Sequence, residues 1–395
     1  MATSKKGSSK KKGSSKKRSK AKKTRAIVLI VVEVLLLLAV GFVVWMVMKG
    51  LKTGDGDGSG MEHIDIEKEN LAVNSGVNDY FEQQKTTVDE NGNTIVGKGY
   101  RTIALFGVDS REKQLSSNTR TDTIIIAAIN LDTGEVRMVS VLRDCYLNLT
   151  NGSYNKCNAA YAVGGPVQAI NMLNTNLDLN ITDYVTIGFT GVTSLVDAVG
   201  GIDINVLSSE IEHLNNYQIS MVGTTEDGEH FFANAGTDYI PVEREGVQTL
   251  NGLQATAYCR IRYVGNDFMR TQRQRTVITQ IINKAKGMNP ASVTSIVTDS
   301  MSNISTSLGL DEILELAKNV SSYNILEESY HFPFDEYRTG GMIGAKGSCV
   351  VPLNLVDNVK ELHRFLYGTE DYQPSQTVIE CSNQIQADTA PYLGR

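Results

Sequence analysis

Proline is scarce in this chain of 395 residues, which contains only seven. So few prolines exclude a proline-rich stalk, and the 35 glycines follow no three-residue period, which excludes a collagen-like fibre. We find no internal repeat. With 41 % hydrophobic residues, the chain is long enough to bury a sizeable core, and we expect its larger part to be globular.

Acidic residues are absent from the first 25 positions, which hold 12 lysines and arginines. From Thr53 onward the balance reverses to 24 basic and 43 acidic residues, so the net charge of −6 joins two opposite regions. The Lys-, Gly- and Ser-rich tail is predicted to be disordered and to bind anionic lipid headgroups. Nucleic-acid binding is the weaker alternative, and we expect no nucleic-acid partner.

Residues 26–48 form an apolar run of 23 residues with a single charge, at Glu33. At about 1.5 Å per residue, such a helix crosses the ~30 Å hydrocarbon layer of a membrane. Basic residues beside a membrane segment stay on the cytoplasmic side, so the acidic part is predicted to lie outside. A cleaved signal peptide is the alternative, but its apolar core would be shorter and followed by small residues.

Metal-binding CxxC spacing is also missing, although the chain has five cysteines after the apolar run. Disulfides are possible outside the cell, and Cys145 with Cys157 is a plausible pair because a short loop separates them. No histidine lies in a recognisable nucleophile pattern. We therefore do not expect a catalytic thiol.

Strand-like patterning begins at residue 100. Three apolar runs cover residues 100–108, 121–131 and 135–142, and the Asp-Thr-Gly sequence between the last two predicts a hairpin. In an antiparallel meander, the end of the first strand, the start of the second and the end of the third lie at one edge. Charged residues occupy all three places: Asp109, Arg120, Asp122, Arg143 and Asp144.

Helical and strand-like segments alternate further along, which favours an α/β fold with a mixed sheet covered on both faces. The polar stretch 207–247 is predicted to be a loop or a hairpin, and Asp267 is expected to cap a helix. Helices are predicted over 158–177 with a Gly-Gly-Pro break, 191–199, 251–263, 267–286, 310–320 and 352–367, and strands over 184–189 and 201–206.

Arginine is concentrated within the acidic region, at Arg260, Arg262, Arg270, Arg273 and Arg275. Guanidinium groups bind phosphate oxygens through paired hydrogen bonds, and Mg²⁺ is held by a few carboxylates with water and phosphate oxygens. The arginines, together with Asp109 and Asp122, therefore predict a site for a pyrophosphate and a divalent metal.

Each of these residues also has a structural interpretation. Arg260 and Arg262 could stabilise a helix C-terminus, and Asp122 could cap a turn. Lys156 could be a solvated loop lysine. Arg273 and Arg275 are more simply structural or solvent-facing, so the convergence of several elements is the stronger signal.

Short motifs recur in a fixed order over about residues 99–288, and together they resemble the LytR-CpsA-Psr family of membrane-anchored cell-wall ligases. Leu142 stands where the family often has Pro, and Thr121 where it has Ser; both changes leave the charged groups intact. The motifs are Leu105-Phe106-Gly107-Val108-Asp109-Ser110-Arg111, Arg120-Thr121-Asp122-Thr123, Ser140-Val141-Leu142-Arg143-Asp144, Asn155-Lys156-Cys157-Asn158, Val199-Gly200-Gly201-Ile202, Leu250-Asn251-Gly252, Tyr258-Cys259-Arg260-Ile261-Arg262 and Asp267-Phe268-Met269-Arg270.

The resemblance implies a three-layer α/β/α domain with a central mixed sheet and a lipid-binding pocket. It also implies a phosphotransferase that moves a glycopolymer, such as teichoic acid or capsule, from an undecaprenyl-pyrophosphate carrier to peptidoglycan through a phosphodiester bond. Asp109 and Asp122 match ligands of Mg²⁺, with Mn²⁺ as the alternative ion, and Arg143 joins them as a catalytic residue. The residues that match the pyrophosphate-binding set are Arg120, Arg143, Lys156, Arg260, Arg262, Arg270 and Gln274.

The predicted organisation is a cytoplasmic tail (1–25), a single transmembrane helix (26–48), an extracellular linker and stalk (49–98), a catalytic domain (99–288) and a C-terminal extension (289–395) packed on or following it. This describes a single-pass protein of a Gram-positive-type cell membrane, with its site outside. Two alternatives remain: a polyprenyl-pyrophosphate hydrolase using the same residues, and a non-enzymatic regulator that binds polyprenyl phosphate. The tail is too short for a folded signalling domain.

Overall fold

The computed structural model describes residues 62–64, 66, 70–88, 93–108, 115, 119–223, 232–265, 267–326, 328 and 330–394. All of these belong to one compact unit, Gly60–Arg395. The predicted tail and transmembrane segment lie outside the described residues. Among the residues that are described, no helix is long and apolar enough to cross a membrane.

Strands are numbered in chain order. Eight of the described strands form the central sheet, and the others form four two-stranded antiparallel sheets. The strands are β1 (Glu62–His63), β2 (Thr86–Val88), β3 (Thr94–Val96), β4 (Tyr100–Val108), β5 (Thr121–Asn130), β6 (Glu135–Val141), β7 (Tyr146–Asn148), β8 (Tyr154–Lys156), β9 (Asp183–Gly188), β10 (Ile202–Val206), β11 (Gly246–Leu250), β12 (Ile304–Thr306), β13 (Asn324–Ile325), β14 (Tyr330–Phe332), β15 (Arg338–Met342) and β16 (Ser348–Pro352).

Helices are numbered in the same way. They are α1 (Val77–Gln84), α2 (Ala159–Leu177), α3 (Phe189–Ala198), α4 (Ser208–Val222), α5 (Gly252–Arg260), α6 (Asp267–Lys286), α7 (Pro290–Ser300), α8 (Leu310–Lys318), α9 (Leu355–Tyr367) and α10 (Gln376–Leu393).

The central sheet runs in the order β1-β12-β9-β4-β5-β6, and β6 pairs beyond that with both β13 and β14. Strands β4, β5 and β6 form the predicted antiparallel meander, whereas β9 is parallel to β4. The mixed sheet is therefore confirmed. Gly134 closes the β5–β6 turn at φ +74°, and a Cβ there would meet the Ser322 carbonyl oxygen at 2.5 Å, so only glycine fits.

Alternate residues of the strands pack into different cores, because successive side chains point to opposite faces. Ala104 and Phe106 join a large core with side chains of α2, α9 and α10. Ile103 and Leu105 pack on the other face against Ile278 and other apolar residues of α6 and α8. Helices thus cover both faces of the sheet.

A third core lies beside the central sheet, between the two-stranded sheet β10–β11 and helices α3 to α6. Helix α4 runs through the stretch that was predicted to be a loop or hairpin, so that prediction is wrong. The reason is that its buried side chains include Glu210 and Gln218 as well as Leu214, so the helix lacks a clear apolar stripe.

Segments on both sides of the predicted catalytic domain belong to the same unit. Helix α1, within the predicted stalk, buries Val77 and Phe81 in the large core. Beyond residue 288, strands β12, β13 and β14 lie in the central sheet. The predicted boundaries near residues 98 and 288 therefore fall inside one fold, because edge strands from distant sequence complete the sheet.

Candidate functional site at the arginine-lined end of the sheet

Asp122, the second residue of β5, accepts hydrogen bonds from three arginines. Its Oδ1 lies 2.6 Å from Nη1 of Arg143, and its Oδ2 lies 2.7 Å from Nη2 of Arg262. Nη2 of Arg270 is 3.0 Å from Oδ2 and 3.0 Å from the Asp122 carbonyl oxygen. Three guanidinium groups therefore converge on one carboxylate, and Nη1 of Arg270 also lies 3.4 Å from Oδ1 of Asp267.

The electrostatics of this cluster follow from its partial burial. Burial alone would raise the pKa of Asp122, but Arg270 and Arg143 outweigh it and hold the pKa below its usual value. Burial is also the main influence on Arg270, whose side chain is 3 % exposed, and lowers its pKa. Asp122 is thus ionised at neutral pH. Its attraction to the charged Arg270 offsets part of the free energy that burial of the guanidinium costs.

A second carboxylate extends the cluster toward the β7–β8 hairpin. Asp144 Oδ2 lies 3.6 Å from Nε of Arg143, and its Oδ1 lies 3.2 Å from Nζ of Lys156. The predicted edge therefore brings Asp122, Arg143, Asp144 and Lys156 into one continuous chain of charges. Each member is only partly exposed, so the interactions are screened less than those of surface ion pairs.

The loop between α5 and α6, which carries Arg262, is held in place by Arg273. Arg273 donates to the carbonyl oxygens of Ile261 at 3.1 Å and Val264 at 2.8 Å, and its Nε donates to Glu210 of α4 at 2.7 Å. The structural role predicted for Arg273 is therefore confirmed. Sequence reasoning missed Glu210, because no motif links positions 210 and 273.

An apolar cavity of about 230 Å³ opens at the arginine cluster. It lies between the sheet face formed by β4, β5 and β9 and the helices α3, α5 and α6. Asp122, Arg260, Arg270 and Gln274 line its polar end, and its walls are otherwise mainly apolar, for example Leu105, Val185, Ile187, Ile278 and Ile282.

Two further predicted residues lie at this polar end. The Arg260 guanidinium is stacked over the ring of Phe189, 4.4 Å from its centroid, and lies 5.4 Å from that of Tyr217. The side-chain oxygen of Gln274 is buried and has no hydrogen-bond partner among the described residues. A buried acceptor without a partner is costly, so it marks a place where a ligand or water donor fits.

Not every predicted residue is brought into the cluster. Arg120 is exposed immediately before β5, and no contact of its side chain is found in the described part of the chain. Asp109 lies outside the described residues. Within them, no group of three or more His, Cys, Asp or Glu side chains could hold a metal ion, so Asp122 alone represents the predicted magnesium pair.

The cysteines are all free thiols, so the Cys145–Cys157 pair considered from the sequence is not formed. Instead, the buried Cys157 thiol donates to the carbonyl oxygens of Leu142 at 3.1 Å and Arg143 at 3.3 Å. Burial raises the pKa values of Cys145 and Cys157, which keeps both thiols protonated and unreactive.

The arginine cluster thus lies at the mouth of an apolar cavity, and known proteins share this chain's fold. Residues 66–340 match the model of the LytR_cpsA_psr family. Because that match covers well over half of the chain, the protein belongs to this family, and the predicted resemblance is confirmed.

Among curated relatives, the polyisoprenyl-teichoic acid–peptidoglycan teichoic acid transferase TagU of Enterococcus faecalis is 32 % identical over 224 residues. That alignment covers 56 % of this chain and 65 % of the relative, somewhat less than two thirds of its length. Biofilm regulatory protein A of Streptococcus mutans is 30 % identical over 201 residues, covering 48 % of this chain and 45 % of that protein.

Solved structures show the same fold. The LytR-CPS2A-psr family protein YwtF (TagT) with bound octaprenyl pyrophosphate lipid superimposes with a TM-score of 0.52 at 20 % identity, covering 78 % of this chain and 100 % of that one. Bacillus subtilis TagV gives a TM-score of 0.52 at 24 % identity, with 71 % and 100 % covered. These likenesses confirm the mixed α/β architecture.

Proposed function

We propose that this protein transfers a glycopolymer from a polyprenyl-pyrophosphate carrier to peptidoglycan, forming a phosphodiester bond. The observation that carries the proposal is the convergence of three arginines on Asp122 at the mouth of an apolar cavity. The names of the transferase relatives agree with it.

The prenyl chain of the donor would lie in the apolar cavity, because its walls offer almost no polar group along β4, β9 and α6. Its pyrophosphate would then meet the polar end, within reach of Arg260, Arg262 and Arg270. Guanidinium groups suit this position because each can donate two parallel hydrogen bonds to phosphate oxygens. Lys156, Arg120 and Gln274 complete the proposed binding set.

The chemical step needs no covalent bond to the protein. The acceptor hydroxyl attacks the phosphorus that bears the glycopolymer, a new P–O bond forms, and the P–O bond to the lipid phosphate breaks. The hydroxyl proton is released, and polyprenyl phosphate leaves. Positioned positive charge stabilises the oxygens on which negative charge develops, which is the main contribution that a protein makes in phosphoryl transfer.

Asp122 suits a divalent cation only if it gives up some arginine contacts. A carboxylate has about four lone-pair sites, and three N–H groups already occupy most of them. If the arginines turned to substrate phosphates, an oxygen of Asp122 would become available. Asp122 and Asp109 are the residues that would hold Mg²⁺ or Mn²⁺, which would neutralise phosphate charge. Asp122 would thus exchange between counter-ion and metal ligand.

The proposed location follows from the distribution of charge in the sequence. The basic residues 1–25 would remain in the cytoplasm, residues 26–48 would span the membrane, and the arginine cluster would lie outside. This arrangement brings the cavity close to the lipid that carries the donor. The pyrophosphate bond supplies the free energy of the reaction, which suits a compartment without nucleoside triphosphates.

The test compares Asp122→Asn with the wild-type full chain in detergent, using a polyprenyl-pyrophosphate-linked glycan as donor and peptidoglycan as acceptor. We expect the variant to lose Mg²⁺-stimulated transfer while binding inorganic pyrophosphate at least as tightly without metal, because the competing carboxylate charge is gone. Asp203→Asn is the matched control: Asp203 pairs at 2.9 Å with Lys284, near the opposite end of α6.

Two results would contradict the proposal. If Asp122→Asn still showed Mg²⁺-stimulated transfer at the wild-type rate, Asp122 would not be a metal ligand. Release of free glycan phosphate by the wild-type protein, without linkage to peptidoglycan, would show a hydrolase instead of a transferase.

A further inference from the structure

A second cavity, polar and open to solvent, lies between the β7–β8 hairpin and α10. Its volume is about 520 Å³, and it shares no lining residue with the apolar cavity. Asn148 and Tyr154 of the hairpin form one wall, and Glu380, Gln384 and Asp388 of α10 contribute to the other. We call this cavity the hairpin cleft.

Helix α10 presents two different faces. Val378, Cys381 and Ile385 are buried in the large core. Thr377, Glu380, Gln384 and Asp388 follow one another at intervals of three or four residues, so they form a polar stripe beside that apolar face. The match to the family model ends at residue 340, so α10 adds this wall from outside the matched region.

The two carboxylates of the hairpin cleft have only neutral partners. Asp388 accepts from the Tyr146 hydroxyl at 3.1 Å and from Gln384 at 2.7 Å, and Glu380 accepts from Gln376 at 3.2 Å. Helix α10 contains no lysine or arginine, and no ion pair to either carboxylate is found among the described residues. The cleft therefore presents uncompensated negative charge.

The hairpin connects this cleft directly to the arginine cluster. In the register of β7 and β8, Tyr146 pairs with Lys156 and Asn148 pairs with Tyr154. Residues two apart on a strand share a face and lie about 7 Å apart, so Lys156 and Tyr154 project from the same side. Lys156 contacts Asp144 of the arginine cluster, while Tyr154 lines the cleft. A bound molecule in the cleft can therefore reach the anion site.

We propose that the hairpin cleft binds the acceptor strand through an amine-bearing glycopeptide segment, an inference that rests on the proposed transferase function. An ammonium group can form charge-assisted hydrogen bonds with Glu380 or with Asp388, whereas a phosphate-rich donor polymer is repelled by both carboxylates. The exposed part of the Tyr154 ring offers an apolar surface for a sugar, and Asn148 and Gln384 can bond its hydroxyl groups. The acceptor hydroxyl is thereby held beside the arginines.

The test measures binding of a soluble muropeptide, a disaccharide whose stem peptide carries a free side-chain amine, to the full chain in detergent. We expect Glu380→Gln with Asp388→Asn to weaken muropeptide binding at least tenfold and to raise the KM for acceptor, leaving inorganic pyrophosphate binding unchanged. Both substitutions preserve shape, and an amide oxygen still accepts from Tyr146. Glu315→Gln, on an exposed position of α8 at the opposite face of the sheet, is the control.

Acetylation of the muropeptide amine should weaken binding to the wild type as much as the double substitution does, and should have no effect on the double variant. Equal affinity of the acetylated and free forms for the wild type, or equal weakening by Glu315→Gln, would overturn the inference. If the double variant transfers polymer with an unchanged KM for acceptor, the cleft assignment fails while the transferase function stands. Charge-dependent muropeptide binding without any transfer would instead support the cleft and refute the transferase function.

Discussion

Two regions of the molecule use arginine on the same helix in opposite ways. Arg273 forms a one-to-one ion pair with Glu210, both side chains being 2 % exposed, and its remaining donors meet backbone carbonyls. Arg270, three residues earlier, shares the carboxylate of Asp122 with Arg143 and Arg262 and lies 3.4 Å from Asp267. The first arrangement is neutral and closed, whereas the second has spare positive charge and opens onto a cavity.

The difference in charge balance between the two regions distinguishes ion pairs that stabilise the fold from ion pairs that can bind a ligand. A buried guanidinium needs a full set of acceptors, and Arg273 has them within the protein. The three arginines around Asp122, together with Lys156, outnumber the carboxylates Asp122, Asp144 and Asp267 by one. The Nε atoms of Arg143 and Arg270 have no hydrogen-bond partner in the described part of the chain. An additional anion would satisfy these donors.

The largest effect on stability is expected from Glu210→Gln. This substitution leaves the Arg273 charge buried without a counter-charge, which typically costs about 3 to 5 kcal/mol. Urea unfolding monitored by circular dichroism would measure the loss. Glu212→Gln, at an exposed position of the same helix, is the control and should change stability by less than about 0.5 kcal/mol. If Glu210→Gln were as stable as the wild type, the Glu210–Arg273 ion pair would not stabilise the fold, and the two arginine regions would not differ in this respect.

Arg143→Lys should impair transfer without a large change in stability, the opposite of Glu210→Gln. Lysine keeps the charge but cannot form paired hydrogen bonds to a phosphate, so transfer should fall about 100-fold while stability stays within about 1 kcal/mol of wild type. Initial rates at saturating donor and urea unfolding provide the two measurements. Arg137→Lys, on strand β6 that precedes Arg143 and similarly exposed, is the matched control. If Arg143→Lys lost much stability but transferred normally, the role of Arg143 would be structural.

The smallest effect is expected at Arg275, which represents a third situation. Burial lowers its pKa to about 10, and its side chain donates to the Ser140 hydroxyl, with no carboxylate partner among the residues that the structure describes. Because a desolvated guanidinium with one neutral partner contributes little net stability, Arg275→Met should change the free energy of unfolding by no more than about 1 kcal/mol. If Arg275→Met destabilised the protein as much as Glu210→Gln does, Arg275 would have a stabilising partner other than Ser140.

Much of the arginine cluster was predictable because it lies at the ends of regular elements. The meander of residues 100–141 follows from apolar runs and a Gly-containing turn, and it brings Asp122 next to Arg143. Helices α5 and α6 were also predicted, together with their arginines. Asp267 is the first residue of α6 and not its cap, and it lies 3.4 Å from Arg270.

Other features could not be predicted, because they depend on contacts between distant segments. Glu210 and Arg273 are far apart in sequence, and no motif links them. The buried face of α4 includes the polar residues Glu210 and Gln218, so the sequence shows no apolar periodicity that would have indicated this helix. Strands β12 to β14 are too short to leave a clear pattern, although they complete the sheet. The polar stripe of α10 acquires a possible function only because the β7–β8 hairpin lies opposite it.

The sequence by itself determined the segregation of charge, the α/β alternation and the residue types that a pyrophosphate site needs, because these depend on local composition and periodicity. Only the tertiary structure decided which arginines share Asp122, which one is neutralised by Glu210, and where apolar walls meet the positive charge. Those outcomes depend on packing between α3, α5, α6 and the sheet, where burial sets the strength of each ionic contact.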